Sequence, residues 1–477
     1  MIKAFPKPDQ IVNRDQQWAE LTALWEHAKP RLVFGLGRRR AGKSWVLARF
    51  AKAVGGIYYQ ATNRTEAEQL AALSRIVGQH FQEAALRGVP FPDWESLFQY
   101  LADKANGNRS LLVLDEFPYL ANAAPALTSI IQALWDHEWQ DTRLKLVLNG
   151  SHITAMRHLE AADQPLFGRR TERLSFPPLT HEYVRAFVPD YAPREQLVTH
   201  SIFGGLPGHL ALLETAADLA TNVQRQILSP SGRLLDEAQH MLDAFLQDAD
   251  IHYSIIQAIA NGAHTWSKIA NRLGKSAGSL SRPMNWLEEM QVVARTVPIT
   301  EANPQKSKRS LYRITDPYVA FWHRFVAPIL ATGESTLLEP EQLWQTHVVP
   351  GLDNYMGRPF EEICRGWTGR SEKIPFRPTR VGSWWDADSR NEIDVVAIGP
   401  GGELLIGECK WGQVDDTDLE TLRDREALIR RDFGASTRVR QVYHAVYSGT
   451  GKWSPGVASE IAAGRLLGFS PEDLMAT

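Results

Sequence analysis

The sequence predicts a multi-domain α/β protein. Its 477 residues are too many for a single hydrophobic core, so we expect two to four domains. Two regions far apart in the chain combine apolar, β-branched runs with helix patterns, and in both regions polar residues stand where a strand ends. With 44% apolar and 22% charged residues, the chain has the composition of a folded globular protein.

Composition also bears on location and partners. No apolar run approaches the ~18 residues of a membrane span, and the first residues lack a signal-peptide core. The two cysteines, Cys364 and Cys409, make neither a disulfide framework nor a metal quartet. We therefore expect a cytoplasmic protein with no membrane partner. The net charge is −3, but residues 251–330 contain ten Lys and Arg against four Asp and Glu, a local basic excess.

A glycine-rich loop between a strand and a helix predicts a phosphate-binding site. In RLVFGLGRRRAGKSWVLARF, the spacing of Gly37, Gly42, Lys43 and Ser44 is that of a phosphate loop. Backbone N–H groups would close around phosphate oxygens, Lys43 would reach the β- and γ-phosphates, and Ser44 would bind Mg²⁺. A simple glycine-rich turn explains the order of strand, loop and helix less well. The predicted ATP contacts are Gly37, Arg38, Arg39, Arg40, Ala41, Gly42, Lys43, Ser44 and Trp45.

Two later strands end in residues that ATP hydrolysis needs. The buried run LLVL ends in Asp115 and Glu116. Acids in this position lie at the ligand-binding edge of an α/β sheet. We expect Asp115 to hold Mg²⁺ through water and Glu116 to polarise the attacking water. A third strand ends at Asn149 and Ser151, which would sense the γ-phosphate or simply form the turn.

The segment PLFGRRTERL carries two candidate arginine fingers, Arg169 and Arg170. Either one can stabilise the transferring phosphoryl group, in its own subunit or from a neighbour in a homo-oligomer. Either can equally form a surface ion pair of little energetic value. The sequence leaves both readings open.

These motifs resemble those of archaeal-type P-loop ATPases, which are related to the AAA+ and STAND ATPases. IVNRDQQWAEL, GRRRAGKS, LLVLDE, LNGS, PLFGRRT and FGGLPGHL occur in the family's order between about residues 10 and 330. The resemblance implies that Asn13 and Arg14 open the domain near the base pocket, and that residues 204–207 belong to a helical lid. One departure is Trp45, which stands where a smaller residue is usual.

The basic middle segment predicts a winged helix-turn-helix. Three apolar-periodic segments joined by short turns precede two strands around a basic loop. The third helix, with Ser279, Ser281 and Arg282, would enter the major groove of DNA. The loop would meet phosphates through Lys306, Lys308 and Arg309. The alternative is a spacer or a protein-contact module.

A β-hairpin is predicted for EIDVVAIGPGGELLIGECKWG, residues 392–412. A turn centred on Gly401 pairs Ile398 with Leu404 and Val396 with Ile406, and it would set Asp394 directly opposite Glu408. Lys410 would share that face, while Cys409 would point to the core. Like charges across a ladder are destabilising unless a cation lies between them. Solvated charges at a strand end are the alternative.

The order of a helix acid, an Asp and a Glu-x-Lys resembles the PD-(D/E)xK nuclease fold, over about residues 345–450. That resemblance implies that Asp394 and Glu408 hold Mg²⁺, that Lys410 orients the attacking water, and that Glu361 supports the metal or a second one. It would make the C-terminal domain a Mg²⁺-dependent nuclease, or a retained fold without turnover.

The predicted architecture is thus a P-loop ATPase sheet with a helical lid, a winged helix-turn-helix and a C-terminal PD-(D/E)xK nuclease-like α/β domain. The predicted boundaries are 1–178, 179–240, 241–330 and 331–477. The predicted function is ATP hydrolysis with DNA binding and nucleic-acid cleavage. The alternative is a STAND-like nucleotide switch that binds DNA or a protein partner.

Overall fold

A computed structural model describes residues 5–83, 89–243, 249–433 and 439–476. The chain divides into two compact units. Unit 1 comprises Met1–Leu179 and Leu206–Gly208, and unit 2 comprises Thr180–Gly205 and His209–Thr477. None of the described helices is long and apolar enough to span a bilayer. The predicted winged-helix segment, 241–330, includes positions 244–248, which lie outside the described residues.

Unit 1 is built on a five-stranded parallel sheet in the order β2-β3-β4-β1-β5. The strands are β1 (Arg31–Leu36), β2 (Ile57–Gln60), β3 (Ser110–Asp115), β4 (Leu144–Gly150) and β5 (Glu172–Ser175). The helices are α1 (Asp15–Glu26), α2 (Lys43–Val54), α3 (Glu66–His80), α4 (Trp94–Lys104), α5 (Phe117–Ala123), α6 (Leu127–His137) and α7 (Ile153–His158).

Both faces of this sheet are buried, which is why its strands read as continuous apolar runs. Along β1, Leu32 and Phe34 pack with α3 to α6, whereas Val33 packs on the opposite face. Trp18 of α1 and Phe50 of α2 cover that second face, and their rings meet edge to face at 5.2 Å. The parallel register brings the carboxyl ends of β1, β3 and β4 to one edge of the sheet.

Unit 2 begins with short helices and a small two-stranded ribbon. The helices are α8 (Pro193–Phe203), α9 (Pro207–Leu210, which starts in unit 1), α10 (Leu219–Val223), α11 (Glu237–Asp243), α12 (Ala249–Ala260), α13 (Trp266–Leu273) and α14 (Ser281–Glu289). The ribbon pairs β6 (Val293–Thr296) with β7 (Leu311–Ile314) in antiparallel fashion. Three further helices follow: α15 (Pro317–Phe321), α16 (Ala327–Thr332) and α17 (Pro340–Leu343).

The remainder of unit 2 is a mixed sheet in the order β12-β11-β10-β9-β8. Its strands are β8 (Arg380–Trp385), β9 (Glu392–Ile398), β10 (Glu403–Lys410), β11 (Gln441–Ser448) and β12 (Leu467–Phe469). The helices are α18 (Val349–Thr368), α19 (Asp416–Phe433), α20 (Pro455–Ala462) and α21 (Pro471–Met475). The pairs β8–β9 and β9–β10 are antiparallel, whereas the pairs β10–β11 and β11–β12 are parallel.

The predicted hairpin is present as β9 and β10, and its register is confirmed at Ile398–Leu404 and Val396–Ile406. The ladder with β10 ends at Val395–Gly407, before the predicted pair of Asp394 and Glu408. Against β8, Val396 pairs with Gly382 but Ile393 pairs with Trp384, so β9 has one extra residue in this stretch. Such a β-bulge interrupts the alternation of side chains and re-aims them. It corrects the prediction that the two acids stand directly opposite each other.

Candidate active sites

The glycine-rich loop of unit 1 joins β1 to α2, as predicted. Gly42 precedes α2 with φ of 85°, in the left-handed region that glycine tolerates. Lys43 is buried, and its ammonium donates to the carbonyl oxygens of Gly37 at 2.6 Å and Arg38 at 2.9 Å. Burial lowers the pKa of Lys43 to about 8, against the opposing influence of Glu116 and Asp115. The lysine therefore lies inside the loop, close to both acids.

Residues outside the loop brace it. The buried guanidinium of Arg14 donates from Nη2 to the Ala41 carbonyl oxygen at 3.0 Å. Burial lowers the pKa of Arg14 to about 10. Asn13 Oδ1 accepts the Arg14 backbone N–H at 2.7 Å. Both were predicted near the base pocket, and the structure adds a contact with the loop backbone.

The segment Leu206–Gly208 also lies on the loop. Gly208 N–H donates to the Arg40 carbonyl oxygen at 3.0 Å, and a Cβ at Gly208 would stand 2.7 Å from Arg40 Cβ. Arg40 has φ of 65°, a left-handed conformation that is uncommon for a non-glycine residue. Close approach of two backbones thus explains Gly208 of the GLPG stretch.

The loop's other predicted contacts differ in exposure. Arg38 is buried, Arg39 is exposed, and Ser44 is half-buried with its hydroxyl bonded to Tyr58. Trp45 is 50% exposed, and the guanidinium of Arg49 stacks 3.1 Å above its ring. An Arg one helical turn later therefore accommodates the bulky residue at this position.

Asp115 and Glu116 are held by neighbouring strand ends. Asp115 is fully buried at the end of β3. Its carboxylate accepts from Tyr58 Oη at 2.5 Å, from Asn149 Nδ2, and from the Glu116 N–H at 2.9 Å. Glu116 is half-buried and accepts from the N–H of Ser151 at 3.1 Å and from its hydroxyl. The four predicted polar residues are thus connected in two pairs, Asp115 with Asn149 and Glu116 with Ser151.

The two candidate finger arginines are paired within unit 1. Arg169 forms a bidentate ion pair with Asp136, in which Nη2 lies 2.7 Å from Oδ2. Its Nη1 donates to the carbonyl oxygens of Pro165 and Phe167. Arg170 pairs with Glu160, which Arg173 also contacts. In this state both guanidinium groups are occupied by acidic partners.

In unit 2, three carboxylates converge where α18 meets β9. Glu361, Glu392 and Asp394 each offer an oxygen, and these oxygens lie within 4.8 Å of one another. We call them the acidic triad. Asp394 and Glu392 lie two residues apart on β9, in the stretch that contains the bulge. The helix α18 supplies Glu361. Asp394 Oδ2 also accepts the Cys409 N–H at 2.9 Å, in place of a ladder hydrogen bond.

The triad holds unusually basic carboxylates. Asp394 is 7% exposed, and burial together with the charge of Glu408 raises its pKa to about 7. Burial and Asp394 likewise raise the pKa of Glu361 to about 7, against the influence of Arg365. Arg365 also fixes the bulge, because its Nη1 donates to the Asp394 carbonyl oxygen at 2.6 Å. Buried carboxylates that repel one another gain most from a cation, and an all-oxygen donor set suits Mg²⁺.

Glu408 lies on the side of the sheet that α19 covers. Its carboxylate pairs with Arg425 Nη1 at 2.9 Å and with Lys410 Nζ at 3.3 Å. Lys410 also lies 3.1 Å from Asp418 Oδ1. Burial alone would lower the pKa of Lys410, but the charges of Glu408 and Asp418 outweigh burial and raise it. Lys410 is therefore a cation at neutral pH. Cys409 is buried, as predicted, and its thiol contacts that of Cys364.

Comparison with known proteins bears on unit 1 first. Residues 11–213 match a family described as an ATPase domain predominantly from Archaea. This match shows that the chain contains an ATPase domain. The "Walker-type ATPase" of Pyrococcus abyssi has a similar fold, with a TM-score of 0.52 at 19% identity, over 67% of this chain and 97% of that one.

Further matches concern other stretches of the chain. An uncharacterized protein of Methanocaldococcus jannaschii is 26% identical over 422 residues, which is 86% of this chain and 90% of that protein. Residues 322–422 match a family described as "Archaea bacterial proteins of unknown function". A structure of the Aeropyrum pernix ORC2 protein with ADPNP and ADP aligns at a TM-score of 0.41 and 14% identity, over 69% of this chain and 98% of that one.

Several residues of both sites were not predicted. Tyr58, which holds Asp115 in the ATPase domain, lies on β2, a strand without a recognisable motif. Glu392 stands two residues before Asp394, and period 2 could have indicated a shared face. Arg365 follows Glu361 by one helical turn, a spacing that could have indicated an ion pair. No sequence pattern indicated that Arg425 contacts the site, because α19 is charged along most of its length.

Proposed function

We propose that this ATPase binds nucleic acid and cleaves its phosphodiester bonds at the acidic triad, with Mg²⁺ as the cofactor at both sites. The observation that carries the proposal is the convergence of Glu361, Glu392 and Asp394 within 4.8 Å. Two of these carboxylates have pKa values raised to about 7, which a bound cation would reverse. Lys410, a cation on the neighbouring strand, would supply the positive charge that hydrolysis of a phosphodiester requires.

The groups have separate roles in this proposal. The triad would hold Mg²⁺, which when bound polarises a phosphate oxygen and lowers the pKa of a water. Lys410 would orient the attacking water and offset the charge that develops on the phosphate. Glu408 would hold Lys410 in place through their 3.3 Å pair, rather than bind the metal as the sequence suggested. In the ATPase domain, Ser44 and Asp115 would hold Mg²⁺ and Glu116 would polarise the water.

Residues 249–314 would form the nucleic-acid-binding module. The order of α12, α13, α14 and the β6–β7 ribbon supports this proposal, because a winged helix-turn-helix places three helices before a two-stranded ribbon. Ser281 and Arg282 are exposed at the start of α14, and Ser279 is exposed in the single turn before it, as contact with a groove requires. Lys306 and Lys308 are exposed on the loop of the ribbon, where phosphates would meet them.

The direct test is metal-dependent cleavage by the full-length protein. Purified protein is incubated with mixed single- and double-stranded DNA and RNA, with Mg²⁺, with Mn²⁺ or with EDTA. We expect cutting that requires metal and falls at least a hundredfold in Asp394→Asn. Asp388→Asn is the matched control, because Asp388 is exposed in the turn before β9. Cleavage that survives Asp394→Asn, or no cleavage with any metal, would refute the nuclease.

One observation favours a second function, a nucleotide switch with an inactive nuclease fold. Glu408 and Lys410 are paired with each other and with Arg425 and Asp418, so neither is free of a partner. Such a network would stabilise a binding platform as well as a catalytic site. Nucleotide-dependent binding of DNA or a protein partner without cleavage would identify this function. Use of Arg169 or Arg170 as an arginine finger would further require that residue to leave its acidic partner.

A further inference from the structure

Arginine side chains gather beside the acidic triad, and the proposed mechanism does not use them. Arg358 and Arg365 lie on the face of α18 that carries Glu361 and Glu362, because residues three and four apart are neighbours on a helix. Arg313 reaches the same face from β7. Its Nη1 lies 3.7 Å from Glu362 Oε1, which is 2.7 Å from Arg365 Nη2. We call Arg313, Arg358 and Arg365 the arginine cluster.

The charges in this region do not balance. Three guanidinium groups gather around only two carboxylates of α18, Glu361 and Glu362. Glu361 links the cluster directly to the triad.

Two N–H groups of the arginine cluster have no hydrogen-bond acceptor in the part of the chain that the structure describes. Within the described residues, neither Nε of Arg313 nor the buried Nη1 of Arg358 has a hydrogen-bond acceptor. Arg313 is only 6% exposed, so most of its guanidinium is removed from bulk water. Leaving buried N–H donors unpaired is costly, and each such group needs an explanation. An oxyanion with several acceptor oxygens would satisfy both arginines at once.

We propose that the arginine cluster binds a backbone phosphate of the nucleic acid, next to the phosphodiester held at the acidic triad. Guanidinium groups present a planar fork of donors that matches phosphate oxygens. Arg365 is already committed to Glu362 and to the Asp394 carbonyl oxygen, so Arg313 and Arg358 would supply the contacts. The inference rests on the proposed function. It makes a strand of the ribbon, through Arg313, part of the cleavage site.

The test is a binding titration with a labelled mixed-sequence DNA duplex, in EDTA so that nothing is cut. Full-length protein is compared with Arg313→Gln/Arg358→Gln over a range of salt concentrations. We expect the double variant to bind about tenfold more weakly, and the slope of log affinity against log salt to fall by about one. Arg377→Gln/Arg431→Gln is the control, because it removes the same charge from exposed positions of unit 2.

A single variant controls for the possibility that the double variant does not fold. Arg358 is half-buried, and Arg358→Gln alone should fold, as thermal unfolding can verify, while binding the duplex about threefold more weakly. Equal affinity and equal salt slope in wild type and both variants would overturn the inference and leave the proposed function intact. If the wild type binds neither this duplex nor single-stranded DNA or RNA, the proposed function fails, and the inference fails with it.

Inorganic phosphate distinguishes the two sources of the anion. Millimolar phosphate should compete with the duplex for the wild type more strongly than for the double variant. Thermal stabilisation of the wild type by phosphate, without any competition against the duplex, would mean that the cluster holds a free phosphate. That result would overturn the assignment to nucleic acid.

Discussion

Lys43 shows how much a single side chain contributes to the nucleotide site. Its ammonium is buried and donates to two carbonyl oxygens of its own loop, so the loop curls around the lysine. A pKa lowered to about 8 by burial leaves most of the side chain protonated at neutral pH. A phosphate oxygen would replace the carbonyl oxygens as its partner.

Lys43→Ala should therefore reduce ATP hydrolysis by about a hundredfold or more, because the charge on the transferring phosphoryl group loses its closest cation. Steady-state release of phosphate measures the effect. Lys52→Ala is the control, since Lys52 is exposed on the same helix and should retain wild-type turnover. Equal loss in both variants would point to damage of α2 rather than to chemistry.

The acidic triad predicts a pH dependence of stability. Asp394 and Glu361 have pKa values raised to about 7 in the folded chain, and both would titrate near about 4 when unfolded. Between these values the folded state binds more protons than the unfolded state. The free energy of unfolding of the metal-free protein should therefore fall as pH rises through this window, and level off above about pH 7.

Urea denaturation in EDTA at several pH values measures this slope. Asp394→Asn/Glu361→Gln should flatten it, whereas Asp388→Asn/Glu372→Gln, at two exposed positions, should keep it. Mg²⁺ should stabilise the wild type more at higher pH, because binding requires ionised carboxylates. A slope that is unchanged in the triad variant would show that these two groups do not carry the dependence.

At the level of elements, the loop of the ribbon packs on the C-terminal sheet of the same unit. Asp432 Oδ2 accepts from Thr300 at 2.5 Å, Trp384 at 2.7 Å and Arg309 at 2.9 Å. Ile299 also pairs its N–H with the Ser383 carbonyl oxygen at 2.9 Å, along the edge strand β8. Arg309, predicted to meet phosphates, is instead held by Asp432 and Glu301.

Asp432→Ala should release Arg309 from one of its partners and make it available to nucleic acid. We expect duplex affinity to rise a few-fold and the salt slope to increase by up to about one. Salt-dependent fluorescence anisotropy measures both quantities. Asp424→Ala, at an exposed position of the same helix, should change neither. Weaker binding by Asp432→Ala would mean that the packed loop, not the free one, is the form that binds DNA.

The sequence predicted elements better than the contacts between them. The hairpin register followed from a four-residue GPGG turn and from period 2, and the pairs Val396–Ile406 and Ile398–Leu404 are confirmed. The bulge beside Asp394 was missed, because one inserted residue leaves no compositional mark. Arg309 and Asp432 are separated by 123 residues, so no local pattern could relate them. The P-loop was predictable because one short segment contains strand, loop and helix.

At the scale of the whole chain, Lys43 and Asp394 belong to different units. A site for ATP hydrolysis and a candidate site for phosphodiester cleavage are thus encoded in one chain but built by separate cores. Any effect of ATP on cleavage would be communication between the two units. Such coupling would distinguish an ATP-controlled nuclease from a protein with two independent activities.

The most direct test measures nucleic-acid cleavage by full-length protein in Mg²⁺, with and without ATP, for the wild type, Lys43→Ala, Asp394→Asn and Lys410→Ala. We expect cleavage that ATP changes in the wild type, that no longer responds to ATP in Lys43→Ala, and that is lost in the two C-terminal variants. If ATP is hydrolysed while nothing is cut in any metal, the acidic triad is not a nuclease site and the account is contradicted.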